Sequence, residues 1–262
     1  MTQTELSRAD LVAELEKVAI AAGDVILEIY NSDFTHDRKQ DQSPVTEADV
    51  AGEKVITAAL RRLTPDIPVI AEEDAAANGL PPEAAKAFWL VDPLDGTKEF
   101  IARNGEFTVN IALIENGQPT IGVVHLPALG QTYSTDGKQT WRQSAGQPRQ
   151  QIKARQVPAS GAIMTISRSH ADKELAKASE MGVHVADTLV AGSSLKFCRL
   201  AEGVADLYPR FGPTMEWDTA AGHAVLIAAG GSVRELDGRP LAYGKPGFRN
   251  PHFIARGQDK TA

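Results

Sequence analysis

The sequence predicts an α/β chain of the α+β kind, with helices over a mostly antiparallel sheet in its first half and helix–strand alternation in its second. Three observations carry this expectation. Apolar residues recur at helical spacing up to Leu63, short apolar runs separated by turn residues fill 106–135, and helical and strand patterns alternate over 172–229.

From Leu6 to Tyr30, Leu11, Leu15, Val18, Ile26 and Ile29 repeat at helical spacing with acids between them, an amphipathic helix. A second run, Val50 to Leu63, sets Val50, Val55, Ile56, Ala59 and Leu63 on one face before Pro65 stops it. Ile67–Ala71 and Phe88–Val91 are short apolar runs bounded by Pro, Asp and Gly, the pattern of buried strands. Glu106 to Thr135 alternates apolar runs with turn signals at Asn116-Gly117 and Pro127–Gly130, which predicts antiparallel hairpins. The polar stretch Thr135–Gln151, with Asp136-Gly137, Gly146 and Pro148, predicts a hairpin excursion leading to a boundary. Two lobes follow, 1–145 and 146–262, with an active site between them. In the second, helices are expected near Asp172–Met181, Ser193–Glu202 and Asp218–Ala229, and a strand near Ala205–Tyr208.

With 262 residues, 42% hydrophobic and 23% charged, the chain can bury a sizeable core. Its longest apolar stretches, such as Ala224–Ala229, fall far short of the roughly 20 residues that span a bilayer. Met1–Asp10 lacks the basic-then-apolar pattern of a signal peptide, and the lone Cys198 excludes an internal disulfide. Both features predict a cytoplasmic location. The formal charge of −7 argues against nucleic-acid polymers as partners, but bound cations can still draw a small anion to an acidic protein. The histidines at 36, 125, 184, 223 and 252 show no metal-ligand spacing.

The strongest local signal is Val91-Asp92-Pro93-Leu94-Asp95-Gly96-Thr97, two carboxylates just past an apolar run. A Pro-x-Asp-Gly turn would use the same residue types. Three further acidic segments accompany it. Ala71-Glu72-Glu73-Asp74 also follows an apolar run, and Trp217-Asp218-Thr219 places an acid at a helix start; a solvated loop and an N-cap are their plainer readings. In Ser43-Pro44-Val45-Thr46-Glu47-Ala48-Asp49, Thr46 and Asp49 fit a capping box.

Taken together, in this order and approximate spacing, the segments resemble the inositol-monophosphatase-like metal phosphatases over nearly the whole chain. The resemblance implies the layered α/β/α/β/α sandwich of the inositol-monophosphatase and fructose-1,6-bisphosphatase type. It also implies a site for two or more Mg²⁺ ions, one on Glu72, Asp92 and the Leu94 carbonyl, the other on Asp92, Asp95 and Asp218. All-oxygen donors of this kind suit Mg²⁺. By the same resemblance Glu72 and Thr97 activate a water, Asp49 orients the threonine hydroxyl, and the amides of Gly96 and Thr97 meet the phosphate. Two metals about 4 Å apart favour such a displacement without a covalent enzyme intermediate.

Three segments resemble the bacterial 3′(2′),5′-bisphosphate nucleotidases more than the inositol phosphatases: Asp95-Gly96-Thr97-Lys98-Glu99-Phe100, Gly192-Ser193-Ser194-Leu195-Lys196-Phe197-Cys198 and Tyr208-Pro209-Arg210-Phe211-Gly212-Pro213-Thr214. That branch hydrolyses the 3′-phosphate of adenosine 3′,5′-bisphosphate, a by-product of sulfate assimilation, and some members are thought to associate with the cytoplasmic face of the inner membrane. The resemblance assigns nucleotide contacts to His170, Ser193, Lys196 and Arg210, and substrate contacts also to Glu72, Leu94, Asp95 and Asp218. Lys196 as a snorkelling side chain and Arg210 in a surface ion pair are the plainer alternatives. Competing functions are an inositol- or sugar-phosphate phosphatase using the same metals, and a non-catalytic nucleotide or metal sensor.

Overall fold

A computed structural model describes residues 6–34, 36–38, 44–168, 175–178 and 183–258 of the chain. Helix α1 (Arg8–Tyr30) is capped by Ser7, whose hydroxyl accepts from the Asp10 amide at 3.2 Å, and it buries Leu11, Leu15, Ala19, Ala22 and Ile26. After the short strands β1 (His36–Arg38) and β2 (Pro44–Thr46), α2 (Glu47–Leu63) opens on the capping box legible in the sequence. Thr46 accepts from the Ala48 amide at 3.2 Å, and Asp49 accepts from the Thr46 amide at 2.8 Å.

The buried face of α2 differs from the expected one. Ala48, Asp49, Gly52, Glu53, Ile56 and Leu60 face inward, while Val50 is 40% exposed. Two carboxylates at i and i+4 occupy the inner face, a placement that apolar periodicity does not register.

A seven-stranded sheet has the order β3-β4-β5-β6-β7-β8-β9. It comprises β3 (Val69–Ala71), β4 (Ala87–Asp95), β5 (Thr108–Glu115), β6 (Gln118–Leu126), β7 (Gln131–Thr135), β8 (Thr140–Ser144) and β9 (Gln150–Ile152). Only β3 and β4 run parallel; the remaining neighbours are antiparallel. Asn116 and Gly117 turn the β5–β6 hairpin with φ of 51° and 74°, as a primed two-residue turn requires. Helix α3 (Glu72–Asn78) follows β3 without a linker, and α4 (Thr97–Ile101) follows β4 after Gly96.

A five-stranded sheet holds β10 (Ala162–Ile166), β11 (Val185–Val190), β12 (Leu207–Arg210), β13 (Ser232–Glu235) and β14 (Phe253–Arg256), in the order β11-β10-β12-β14-β13. Only β12 was expected from the sequence. Between the two sheets lie α5 (Leu195–Ala201), packed on β10 and β12, and α6 (Trp217–Ala228), packed on β5 and β6. Helices α1 and α2 cover the far face of the larger sheet. A helical turn at 175–178 covers the smaller sheet, where Leu175 and Ala178 join Ala162, Met164 and Ile166; the rest of the helix expected over 172–181 lies outside the described residues. These layers form the α/β/α/β/α sandwich that the resemblance implied. Cys198 is buried in the central layer as core filler. Among the described residues, no helix is long and apolar enough to cross a membrane.

The central layer is tight where α6 crosses β6. A Cβ on Gly122 would lie 2.6 Å from the Ala221 carbonyl oxygen and 2.8 Å from the Ala224 Cβ. Gly122→Ala is therefore expected to lower unfolding stability by about 1–3 kcal/mol through overpacking, read as a fall in denaturant midpoint at unchanged slope. An unchanged midpoint would show that helix and sheet separate at no cost.

Candidate active site

Parallel pairing sets the first two acids side by side. The register Ala71↔Val91 brings β3 and β4 to the same end of the sheet, so the residues that follow, Glu72 and Asp92, emerge together. The ladder between β4 and β5 becomes irregular between Asp92 and Asp95, where Pro93 can give no backbone hydrogen bond. The Leu94 amide turns back onto Asp92 Oδ1 at 3.0 Å, and Gly96 then bends the chain with φ 95°. Any side chain there would be strained twice over, since a Cβ would also fall 2.2 Å from Ser193 Oγ.

The third acid comes from the middle layer. Asp218 stands in the first turn of α6 and accepts the Met215 amide at 2.9 Å, but the N-cap position itself belongs to Glu216. Fully buried Glu216 pairs with Lys245 at 2.7 Å and accepts the Gly244 and Lys245 amides at 2.7 and 3.0 Å. Asn250 donates to the Met215 carbonyl at 2.7 Å, tying down the turn before Asp218.

One carboxylate oxygen from each of Glu72, Asp92 and Asp218 lies within 4.8 Å of the others. Asp95 adjoins them, accepting the Ser194 amide at 2.8 Å. Burial pushes the Asp95 carboxyl up to about 6, against the pull of Lys196, while Glu99 and Glu72 add repulsion. Burial also pushes Asp218 well above the carboxylate range, and the charges of Asp95 and Glu72 push further. Four acids held this close repel one another, and a hard cation would neutralise them; the donor set is all oxygen and fits a metal such as Mg²⁺.

On the opposite flank, Thr97 Oγ1 donates toward Asp49 Oδ1 at 3.4 Å and toward the Leu94 carbonyl at 3.5 Å. Buried Asp49 is held by its other oxygen, which accepts the Thr46 amide and hydroxyl at 2.8 and 2.7 Å. Ser193, at φ 49°, shares its hydroxyl between the carbonyls of Asp95 at 2.8 Å and Glu106 at 3.0 Å. Lys196 does not snorkel. It is buried, donates to the Ala191 carbonyl at 3.2 Å and lies 5.2 Å from the Tyr208 ring centroid. Half-buried Arg210 ends β12, donates to the Pro213 carbonyl at 3.2 Å, and its charge partly opposes the upward push on Asp218. His170 lies outside the described residues.

Sequence reasoning missed Glu106. It accepts both Arg168 guanidinium nitrogens at 2.6 and 2.8 Å and the Gly192 amide at 2.7 Å, bracing the loop that carries Ser193 and Ser194. Burial would raise its carboxyl, but these donors hold it below the usual range. The partners lie 62 and 86 residues away, so no local pattern announces them.

The raised Asp95 carboxyl has a consequence for the metal-free chain. Its folded value of about 6 exceeds the ordinary 3.8, so the folded state binds the extra proton more tightly. That contribution to stability is complete below about pH 4 and is lost as pH rises through about 6. Asp95→Asn is expected to raise the melting temperature at pH 7 in chelator, with the difference from wild type shrinking toward pH 4. Thermal unfolding across that range checks it, and an Asn variant less stable at pH 7 would contradict the account.

The inositol monophosphatase family profile matches residues 8–260. The chain is 49% identical to the 3′(2′),5′-bisphosphate nucleotidase CysQ of Salmonella typhimurium, over 93% of this chain and 98% of that protein. It is 50% identical to the Escherichia coli K12 protein of the same name, over 90% and 96% of the two. The crystal structure of CysQ from Bacteroides thetaiotaomicron, a bacterial member of the inositol monophosphatase family, superposes with a TM-score of 0.79 at 37% identity, over 97% of this chain and 98% of that one. With sequence and fold matching over nearly its full length, the chain belongs to the inositol monophosphatase family.

Proposed function

We propose that the chain is a Mg²⁺-dependent 3′(2′),5′-bisphosphate nucleotidase that hydrolyses the 3′-phosphate of adenosine 3′,5′-bisphosphate to give AMP and phosphate. The convergence of Glu72, Asp92 and Asp218 beside Asp95 carries the metal-dependent part of this reading. Relatives near half identical that are named as bisphosphate nucleotidases support the substrate class.

In this reading Glu72, Asp92 and the Leu94 carbonyl hold one ion, and Asp92, Asp95 and Asp218 a second. When bound, the ions supply Lewis acidity toward the phosphoryl oxygens and lower the pKa of water. The chain's own groups do the rest. Asp49, fixed by Thr46, takes the Thr97 hydroxyl proton into a hydrogen bond, leaving the Thr97 oxygen lone pairs to accept from the attacking water alongside Glu72. Water oxygen joins phosphorus as the bond to the 3′-oxygen breaks; the water gives one proton to Glu72, and the departing 3′-oxygen takes up one proton from solvent to become the nucleotide's hydroxyl. The amides of Gly96 and Thr97 face the phosphate at the start of α4. Ser193, Lys196 and Arg210, with His170, are assigned to the nucleotide, between lobes 1–145 and 146–262.

Phosphate release from adenosine 3′,5′-bisphosphate and from inositol 1-phosphate, with and without Mg²⁺, tests the whole reading. Preference for the inositol ester would overturn the substrate, and turnover without divalent metal would overturn the chemistry. Thr97→Val is nearly isosteric and should lower kcat about 10²- to 10⁴-fold while KM moves far less. A rise in KM alone would make Thr97 a binding residue.

Arg210→Ala separates the nucleotide pocket from the shared site. If Arg210 holds the 5′-phosphate, its loss removes a charge-assisted contact of roughly 1.5–3 kcal/mol, about ten- to hundredfold in kcat/KM on the bisphosphate. Adenosine 3′-monophosphate lacks that group, so its rate should hardly change. Equal losses on both substrates would place Arg210 on the metal site instead.

A further inference from the structure

Helix α3 starts without a cap of its own. Its N-cap residue is Ala71, which offers no side-chain acceptor, yet the amides of its first turn are satisfied from another helix. The Glu73 amide donates to Glu53 Oε2 at 2.7 Å and the Asp74 amide to Glu53 Oε1 at 2.9 Å. Each oxygen takes one amide, so the carboxylate spans the turn that begins with Glu72. Glu53 is only 8% exposed and stands one turn beyond Asp49 on the same face of α2. That i, i+4 pair thus reaches two parts of the site, Asp49 toward the Thr97 hydroxyl and Glu53 toward the Glu73 and Asp74 amides that follow Glu72.

An acid at this place works against its surroundings. Burial raises its carboxyl, and Asp74 and Glu72 repel it, opposed by the two amides. A glutamine of the same shape would avoid the charge, but it has one acceptor oxygen, and its NH₂ would face an amide N–H. Two outward amides need two acceptors, which the carboxylate supplies.

We propose that Glu53 is a positioning residue for the reaction: by holding the amides of Glu73 and Asp74 it fixes the turn that carries Glu72. With Asp49, it makes α2 a common strut between the Glu72 carboxylate and the Thr97 hydroxyl. The inference rests on the reading of Glu72 as a metal-holding, water-orienting carboxylate.

The test compares the full-length wild type with Glu53→Gln, Glu53→Asp, Ala71→Ser and the double variant Glu53→Gln/Ala71→Ser. Position 71 has φ −120° and ψ 149°, backbone suited to a capping serine, so Ser there offers a replacement acceptor. Glu53→Gln is expected to lose about ten- to hundredfold in kcat with KM nearly unchanged, and to bind Mg²⁺ alone about tenfold more weakly by calorimetry. The Glu73 and Asp74 amides should exchange faster with solvent, and the double variant should recover part of each loss. Glu53→Asp keeps the charge but shortens the reach, and should fall between wild type and Glu53→Gln.

Wild-type kcat and Mg²⁺ affinity in either single variant at 53 would overturn the proposal. So would a lower melting temperature with unchanged kcat per folded molecule, because Glu53 would then serve stability alone. A wild-type chain that binds no Mg²⁺ and cleaves no phosphate ester would sink the functional reading beneath it; an active wild type with an unaffected Glu53→Gln sinks this inference only.

Discussion

Four carboxylates gathered in a partly desolvated corner repel one another, and most of the structure near them serves to hold that arrangement in place. The parallel β3–β4 pairing delivers Glu72 and Asp92 to one end of the sheet. Pro93 and Gly96 bend the chain so that Asp95 turns back toward them. Asp218 arrives from a helix pinned between two sheets, where Glu216, Lys245 and Asn250 secure the turn before it. Each acid is anchored by a backbone amide or a rigid turn, so the repulsion is resisted by covalent geometry and hydrogen bonds. This is the form of preorganisation that charged sites depend on.

The anchoring groups form a ring around the acids. Glu106 braces the loop of Ser193 and Ser194, whose hydroxyl and amide hold the Asp95 backbone and carboxylate. On the other side α2 contributes Asp49 and Glu53 from one face. These groups come from helix α2 and from the loops that precede β5 and follow β11, so the site's geometry depends on how those loops meet the helix.

What the sequence showed was what lay close together along it. The Asp92–Thr97 segment was legible because an apolar strand, a turn and a helix start follow one another within ten residues. The β5–β6 hairpin was legible through Asn116-Gly117. Most of the five-stranded sheet was not: β11 is largely exposed and β13 buries only Val233, so neither makes an apolar run or a clean alternation. The inner face of α2 was misjudged because it carries acids where periodicity seeks apolar residues. Glu106 and Glu53 stayed hidden because their partners lie 20 to 86 residues away. Asp218 was found, but the capping position went to its neighbour Glu216, whose partners are again remote.

One acid follows a short strand at the edge of the sheet. Strand β3 is three residues long and lies at the margin of its sheet, paired on one side only, yet it leads directly into Glu72. Short edge segments open locally far more readily than whole domains unfold. Fraying of β3 would withdraw one carboxylate while the rest of the molecule stayed intact, and an ion gripped by all of them would oppose that fraying. On the proposed reading, filling the site and keeping this margin ordered would be linked, since an ion held by Glu72 favours the closed strand.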